Sequence, residues 1–312
     1  MSISHYLKQI GRGSKGASDL TRADAQELFG QIIEKKVTDL EVGAFCLAMR
    51  IKGETAQELA GFYDAILPYL PKIQLEKPTL LLPSYNGARK ALLFTPLLAK
   101  ILSERGMSVL VHGMHEETSR LSSAEIFEKL EWPMASSIQD LVSKLSSTGI
   151  SYCSLQLLCP ELAEILEIRH TLGLRNSAHI LAKLLNPVFS SSLQICNYTH
   201  PAYPSILDDF FQLHPSNVIL MRGNEGEPVA SIRRLPELHI RLKEDNVRID
   251  TDAVFSEMVQ NLLDTIDVNE TTQQYRDFLS GKALLPLTIV KQVELVTQVM
   301  KSVTRTQTGQ CE

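Results

Sequence analysis

Cysteine pairing is missing from this chain. Its five cysteines (Cys46, Cys153, Cys159, Cys196, Cys311) are scattered, odd in number and never spaced Cys-x-x-Cys. That excludes a disulfide framework and a cysteine-built zinc site, and it predicts reduced thiols in a cytoplasmic protein. Long apolar runs are absent too. Nothing approaches the roughly 20 residues that cross a bilayer, and residues 1–30 lack the apolar core of a secretory signal. There is no excess of positive charge. The net charge of -5 excludes a surface that is basic all over, while leaving room for a local basic patch. No internal repeat, low-complexity segment, GxSxG motif or reactive-cysteine signature is present. What remains is ordinary globular composition, 44% hydrophobic and 21% charged. The 312 residues suffice for one large α/β unit or two modest domains.

The stretch 79–120 organises the rest. Thr79-Leu80-Leu81-Leu82 is a short apolar run, and the turn-rich Pro83-Ser84-Tyr85-Asn86-Gly87-Ala88-Arg89-Lys90 follows it. Thr95-Pro96 predicts a helix start, with Thr95 as the N-cap. Leu97, Leu98, Ile101 and Leu102 would share one face of that helix. Ser108-Val109-Leu110-Val111 is a second apolar run and leads into His112-Gly113. Strand, loop, helix, strand is a βαβ unit. Such units build parallel sheet and place ligands beyond the carboxyl ends of the strands. Loops 84–90 and 112–120 lie at that edge.

Upstream, residues 3–10 predict a short helix. Residues 11–16 spell GxGxxG, but they follow a helix where a dinucleotide fold needs a strand, so a flexible loop with two cations is the reading. Thr21, Thr38 and Thr55 head capping patterns with Asp24, Glu41 and Glu58. Leu40, Ala44, Leu47, Ala48 and Ile51 are expected to form one buried stripe, and Leu59, Phe62, Tyr63 and Ile66 another. Downstream, the periodicity predicts helices near 123–130, 161–170, 176–185, 208–213, 271–279 and 287–301. Strands are predicted at 152–158, 193–198 and 217–221. Residues 240–249 read as a hairpin around Glu244-Asp245-Asn246, and 304–312 as a loose tail.

The run Val37-Thr38-Asp39-Leu40-Glu41-Val42-Gly43-Ala44-Phe45, with Arg50-Ile51-Lys52-Gly53-Glu54-Thr55, resembles the helical domain of anthranilate phosphoribosyltransferase. The likeness continues through the βαβ unit, His112-Gly113, Arg175 and Asn186-Pro187 to the C-terminal helices. It implies an α/β protein of the nucleoside phosphorylase/phosphoribosyltransferase type: a helical bundle domain plus an α/β domain with a mostly parallel central sheet. Residues 1–70, joined by helices near 160–187, would form the first. Residues 79–159 and 190–303 would form the second. The resemblance also implies a homodimer, and phosphoribosyl pyrophosphate with Mg²⁺ at the strand ends of the enzymes.

The chain departs from the enzymes where they hold substrate. Their GTGGD loop corresponds to Pro83-Ser84-Tyr85-Asn86-Gly87. Their KHGNR corresponds to Val111-His112-Gly113-Met114-His115. Their adjacent Asp-Glu metal pair corresponds to Arg222-Gly223-Asn224-Glu225-Gly226-Glu227. Three altered elements argue against phosphoribosyl transfer. The loop 83–90, and Arg175-Asn176-Ser177-Ala178-His179 with Lys183, resemble the YbiB-type branch of the family, which is associated with nucleic-acid binding.

Read without the family, Arg175, His179 and Lys183 are spaced i, i+4, i+8 and would line one side of a helix. Arg169 lies just upstream. Such a stripe is either a solvated face or a row of donors for phosphate oxygens. Arg89, Lys90, Arg120 and Arg222 fall at the strand-end loops and favour the second. Tyr85 is either a stacking face for a base or a core residue. His112 and His115 lack a third metal ligand. Glu225 and Glu227 could hold Mg²⁺ weakly, but two exposed loop acids is the preferred reading. Together these residues predict a non-enzymatic, largely sequence-independent nucleic-acid binder without a cofactor. The alternative is a phosphoribosyl transferase that uses a phosphorylated sugar and Mg²⁺. Ser84, Asn86, Gly87, His112 and Gly113 complete the expected strand-end site.

Overall fold

Threonine hydroxyls set where the first long helices begin. The structure, a computed structural model, describes residues 2–115, 120–243, 247–255 and 266–308. Helix α1 (Ser4–Ile10) and the single turn α2 (Gly13–Gly16) precede α3 (Arg22–Ile33), α4 (Asp39–Lys52) and α5 (Ala56–Ile66). Thr21 accepts from the Asp24 N–H, while Thr38 and Thr55 form full reciprocal boxes with Glu41 and Glu58. Each such cap pairs N–H groups that the helix cannot pair itself, a gain of about 1 kcal/mol. The GxGxxG stretch is thus partly helical, not a plain loop.

Then come β1 (Thr79–Ser84), α6 (Thr95–Glu104), β2 (Ser108–Gly113), α7 (Ser123–Lys129), α8 (Ile138–Thr148) and β3 (Ile150–Ser154). The turn α9 (Leu155–Leu158) is followed by α10 (Pro160–Leu172), α11 (Ala178–Leu184), β4 (Ser192–Tyr198), α12 (Tyr203–Leu213) and β5 (Val218–Arg222). The chain continues through β6 (Arg234–Leu235), β7 (Leu238–Leu242), β8 (Val247–Asp250), β9 (Val254–Phe255), α13 (Val268–Leu279) and α14 (Leu287–Thr308). No helix among the described residues is long and apolar enough to cross a membrane.

The chain divides into two units. The first comprises Met1–Pro71, Leu158–Leu185 and Ala202–His214. The second comprises Lys72–Leu157, Asn186–Pro201 and Pro215–Glu312. Helix α12, assigned to the α/β part on sequence, belongs with the helices of the first unit, where it packs on α5.

In the first unit α3 packs along α5, and the rings of Phe29, Phe45 and Phe62 meet at 5.0–6.0 Å between centroids. Leu59, Phe62, Tyr63 and Ile66 are buried as expected. The stripe on α4 is not. Leu40 is 83% exposed, Ile51 58% and Leu47 47%, whereas Phe45, Cys46 and Met49 are buried. Helix α4 has two apolar faces. Phe45 and Met49 each gain roughly 2 kcal/mol on burial, so their face takes the core and the leucine face is left outside.

The second unit is built on a seven-stranded sheet of order β3-β2-β1-β4-β5-β7-β8. The first five strands are parallel, and β7 and β8 are antiparallel additions. Every residue of β1 and β2 is buried, as in a parallel sheet covered on both faces, and Ser84 pairs with Gly113 at their carboxyl ends. Four local expectations need correction. The N-cap of α6 is Phe94, so Thr95 is inside the helix and its hydroxyl is used elsewhere. Helix α8 lies in a stretch that reads as polar, because Leu141 and Leu145 are its only buried positions. The strand expected at 152–158 is Ile150–Ser154, and the chain turns helical from Leu155. Helix α14 runs to Thr308, into the expected tail, while 309–312 lie outside the described residues. The hairpin pairs Leu242 with Val247 as expected, and its turn, Glu244-Asp245-Asn246, also lies outside them.

Candidate functional site

At the carboxyl end of the parallel strands two loops are stitched together by carboxylates. Loop 85–90 leaves β1 and is pinned by paired backbone bonds between Ala88 and Leu121, both 2.9 Å. Gly87 there has φ +62°, and a Cβ would meet the Leu121 carbonyl oxygen at 2.5 Å. The second loop follows β5. Asn224 bridges Glu227, and the residues between them, Glu225 and Gly226, have φ +50° and +86°. Two successive positive φ values make a tight turn of the I′ kind, which faces both glutamates toward the first loop. A Cβ on Gly226 would lie 1.6 Å from Asn86 Nδ2, so only glycine lets the loops approach.

Glu227 is 1% exposed. Its Oε1 accepts from the N–H groups of Asn86 at 2.8 Å and Gly87 at 2.9 Å. Its Oε2 accepts from Ser84 Oγ at 2.5 Å and Thr95 Oγ1 at 2.9 Å. Ser84 spends its only proton on the carboxylate, so Ser123 Oγ, 2.6 Å away, is the donor in their bond. Glu225 accepts from the N–H groups of Arg89 at 2.9 Å and Lys90 at 3.0 Å, and lies 3.7 Å from Arg120 NH1. Four backbone amides, two hydroxyls and one guanidinium therefore converge on two carboxylates. Oriented N–H dipoles compensate a buried negative charge, as they do in phosphate-binding loops. The preferred reading of Glu225 and Glu227 as exposed acids is corrected: they are the occupants of an anion-binding loop.

The neighbouring strand end is equally closed. His112 is fully buried, and burial pushes its imidazole down to about 3, so the ring is neutral. Its Nδ1 lies 2.7 Å from Tyr85 OH, and its Nε2 is buried without a hydrogen bond. Tyr85 is 2% exposed and meets His112 edge to face, which removes it as a stacking platform for a base. His115 is on the surface beside Glu128, so the two histidines part company. Among the described residues no group of three or more His, Cys, Asp and Glu could hold a metal ion. With the amides taken and both glutamates engaged, the loops as arranged fit neither a pyrophosphate nor its magnesium.

The cations differ in circumstance. Arg89, Lys90 and Arg222 are exposed at the strand ends, and among the described residues their side chains have no ion-pair partner. Arg120 is half-buried against Glu225 and the Gly87 carbonyl oxygen. In the first unit Arg169 lies in the last turn of α10, which Gly173 ends. Helix α11 begins only at Ala178, so Arg175 precedes it, and the i, i+4, i+8 row on one helix face does not form. His179 and Lys183 are each 8% exposed. Burial first, then the charges of Arg175, Arg169 and Lys183, hold the His179 imidazole down at about 3. The expected stripe is therefore three cations gathered round a neutral histidine.

The comparisons with known proteins agree with this architecture. The helical bundle domain of a glycosyl transferase family matches residues 4–68. The uncharacterised Escherichia coli K12 protein YbiB is 34% identical over 294 residues, which is 92% of this chain and 90% of that protein. The anthranilate phosphoribosyltransferase of Brevibacillus brevis is 25% identical over 226 residues, 72% of this chain and 65% of the enzyme. In structure, the Thermus thermophilus anthranilate phosphoribosyltransferase superposes with a TM-score of 0.72 at 17% identity, covering 95% of this chain and 91% of that one. The Saccharomyces cerevisiae enzyme in complex with phosphoribosyl pyrophosphate and Mg²⁺ gives 0.74 at 16% identity, with 96% and 88% covered. By sequence and fold the chain belongs to the YbiB family, on the scaffold of the anthranilate phosphoribosyltransferases.

Proposed function

We propose that this protein holds the sugar–phosphate backbone of nucleic acid with little regard to sequence and does not transfer phosphoribosyl groups. One observation carries the reading: the loop amides that could wrap a substrate phosphate are bonded to Glu225 and Glu227. What remains for an outside anion is side-chain charge. Arg89, Lys90 and Arg222, exposed on the second unit, offer it. Such contacts release counterions from a polyanion, so affinity falls steeply with salt. Retention of short single-stranded and duplex DNA across a salt series is the test. Replacing Arg89 and Lys90 together by alanine is expected to reduce the log–log salt slope by about 1–2. No retention at low salt would sink the proposal.

A second reading has the relatives named anthranilate phosphoribosyltransferase in its favour. It requires phosphoribosyl pyrophosphate and Mg²⁺ to displace both glutamates from the loop. Titration calorimetry separates the two. Micromolar binding of that pair of ligands establishes the transferase reading, and its absence in a protein that retains DNA supports the first.

The partner proposed is a second copy of the chain. Leu40, Ala44, Leu47 and Ile51 form an exposed stripe on α4, and a cavity of ≈ 530 Å³ between this face and Leu172 and Leu174 adjoins it. A self-complementary apolar face suits a two-fold contact. Leu40→Asp with Leu47→Asp, both at exposed positions, is expected to give a folded monomer by light scattering where the parent is a dimer. A monomeric parent would refute the contact.

A further inference from the structure

The two-stranded ribbon of β6 and β9 has one face in the core and one in solvent. Its strands pair antiparallel, Leu235 opposite Val254 and Arg234 opposite Phe255. Successive side chains of a strand point to opposite faces, so the two pairs lie on opposite sides of the ribbon. Leu235 is buried, and Val254 packs against the same core. Arg234 and Phe255 are exposed. The backbone beneath them is braced. The Arg234 N–H donates to Ser231 Oγ at 3.1 Å, and Thr288 Oγ1 of α14 donates to the Ser231 carbonyl oxygen at 2.7 Å. Phe255 is 69% exposed, although a phenyl ring gains much from burial. The Arg234 guanidinium lies over that ring, 5.1 Å from its centroid, a cation–π contact that engages one face. The opposite face is left to solvent. Arg233, next to Arg234 in the chain, is exposed as well, and Glu237 is the sole acid between 228 and 243. Arg234 and Arg222 line one polar cavity of ≈ 400 Å³, which joins the ribbon to the cations proposed above to meet nucleic acid. Among the described residues one other phenylalanine is exposed, Phe189 at 56%. It precedes β4, on the amino side of the parallel strands, and lies under Lys72.

From this arrangement we infer that Phe255 is a stacking platform for an unpaired base, which makes single-stranded nucleic acid the preferred partner. This role rests on the nucleic-acid reading and adds to its charges a contact that salt does not weaken. A duplex keeps its base faces against one another and shows a protein only base edges and backbone. In a single strand every base has a free face whatever its identity, so stacking adds affinity without reading sequence. The guanidinium on the far side of the ring holds the platform in place and keeps its N–H edges for a flanking phosphate. Tyr85, buried against His112, cannot serve in this way.

The test is a salt series on the full chain with oligothymidylate and a duplex of equal length. At salt high enough to screen the phosphates, the parent is expected to hold the single strand about tenfold more tightly than the duplex. Phe255→Ala is expected to lower single-strand affinity about tenfold and leave duplex affinity unchanged. The log–log salt slope should stay as it is in the parent, because stacking displaces no counterion. Phe189→Ala is expected to change neither affinity. Phe255→Trp is expected to keep the affinity, and its indole emission should be quenched by oligothymidylate beyond any change given by Trp132, the parent's single tryptophan. Both phenylalanines are exposed, and unchanged thermal midpoints will show that the variants fold. The two readings fail differently. No retention of either DNA at low salt sinks the nucleic-acid reading and the platform with it. A Phe255→Ala protein that binds the single strand like the parent, or weakens on both DNAs alike, overturns the platform alone, as does an unquenched Phe255→Trp. Unchanged DNA affinity joined to a changed oligomeric state in light scattering would give the ring to a protein contact, and would overturn it too.

Discussion

Glu227→Ala is expected to destabilise the second unit by about 3–5 kcal/mol, a large part of the stability of an ordinary domain. The substitution strands two amides and two hydroxyls that now share one carboxylate, in a place water reaches poorly. Each unpaired buried donor costs about 1–3 kcal/mol, partly relieved by local rearrangement. The variant also leaves behind a ready anion site. Phosphate or pyrophosphate should therefore raise its thermal midpoint far more than it raises that of the parent. A ligand at 100 times its dissociation constant returns about 2.7 kcal/mol. Differential scanning fluorimetry across a phosphate series reads both effects. A variant as stable as the parent, or one whose midpoint ignores phosphate, would contradict the assignment of Glu227 as the loop's anion.

Acid is expected to destabilise both units progressively below neutral pH. His112 and His179 are held at about 3 by burial, against about 6.5 in an unfolded chain. Between those values the unfolded chain takes up a proton at each imidazole and the folded chain does not. Stability is thus fully present above pH ~6.5 and falls, for each histidine, by about 1.4 kcal/mol per pH unit down to pH ~3. The loss reaches His112 in the second unit and His179 in the first. Denaturant midpoints measured from pH 7.5 to 4.5 should slope downward, and His112→Asn should flatten the slope for the second unit. A flat profile in the parent would mean the imidazoles are protonated in place.

Much of the scaffold could be read from neighbouring residues because local forces decide it. Strands β1 and β2 are buried on both faces, so each shows an unbroken apolar run, Leu80-Leu81-Leu82 and Val109-Leu110-Val111. The capping boxes at Thr38 and Thr55 are three-residue patterns and formed as written. What escaped depends on distant chain. Helix α4 offers two apolar faces, and only its packing against Phe29 and Phe62 selects the one with Phe45. The Arg175-His179-Lys183 row assumed a helix starting at Asn176, but Asn176 instead caps Ala178 through its side chain, and the helix starts later. The site was half legible. Loop 83–90 and the Glu-Gly-Glu turn both stand out in the sequence, yet they are 141 residues apart where Glu227 meets the Asn86 amide. The glycine between the glutamates was the available signal. It permits the tight turn that brings both acids to one side, where a solvated pair would have no need of it.

The turn at Gly226 has a consequence for how the protein meets its surroundings. A carboxylate held by the fold against a cradle in the same chain, 141 residues away in sequence, is present at an effective concentration far above that of any dissolved competitor. Here the cradle is filled from the moment the chain folds, so its shape is insulated from swings in phosphate supply.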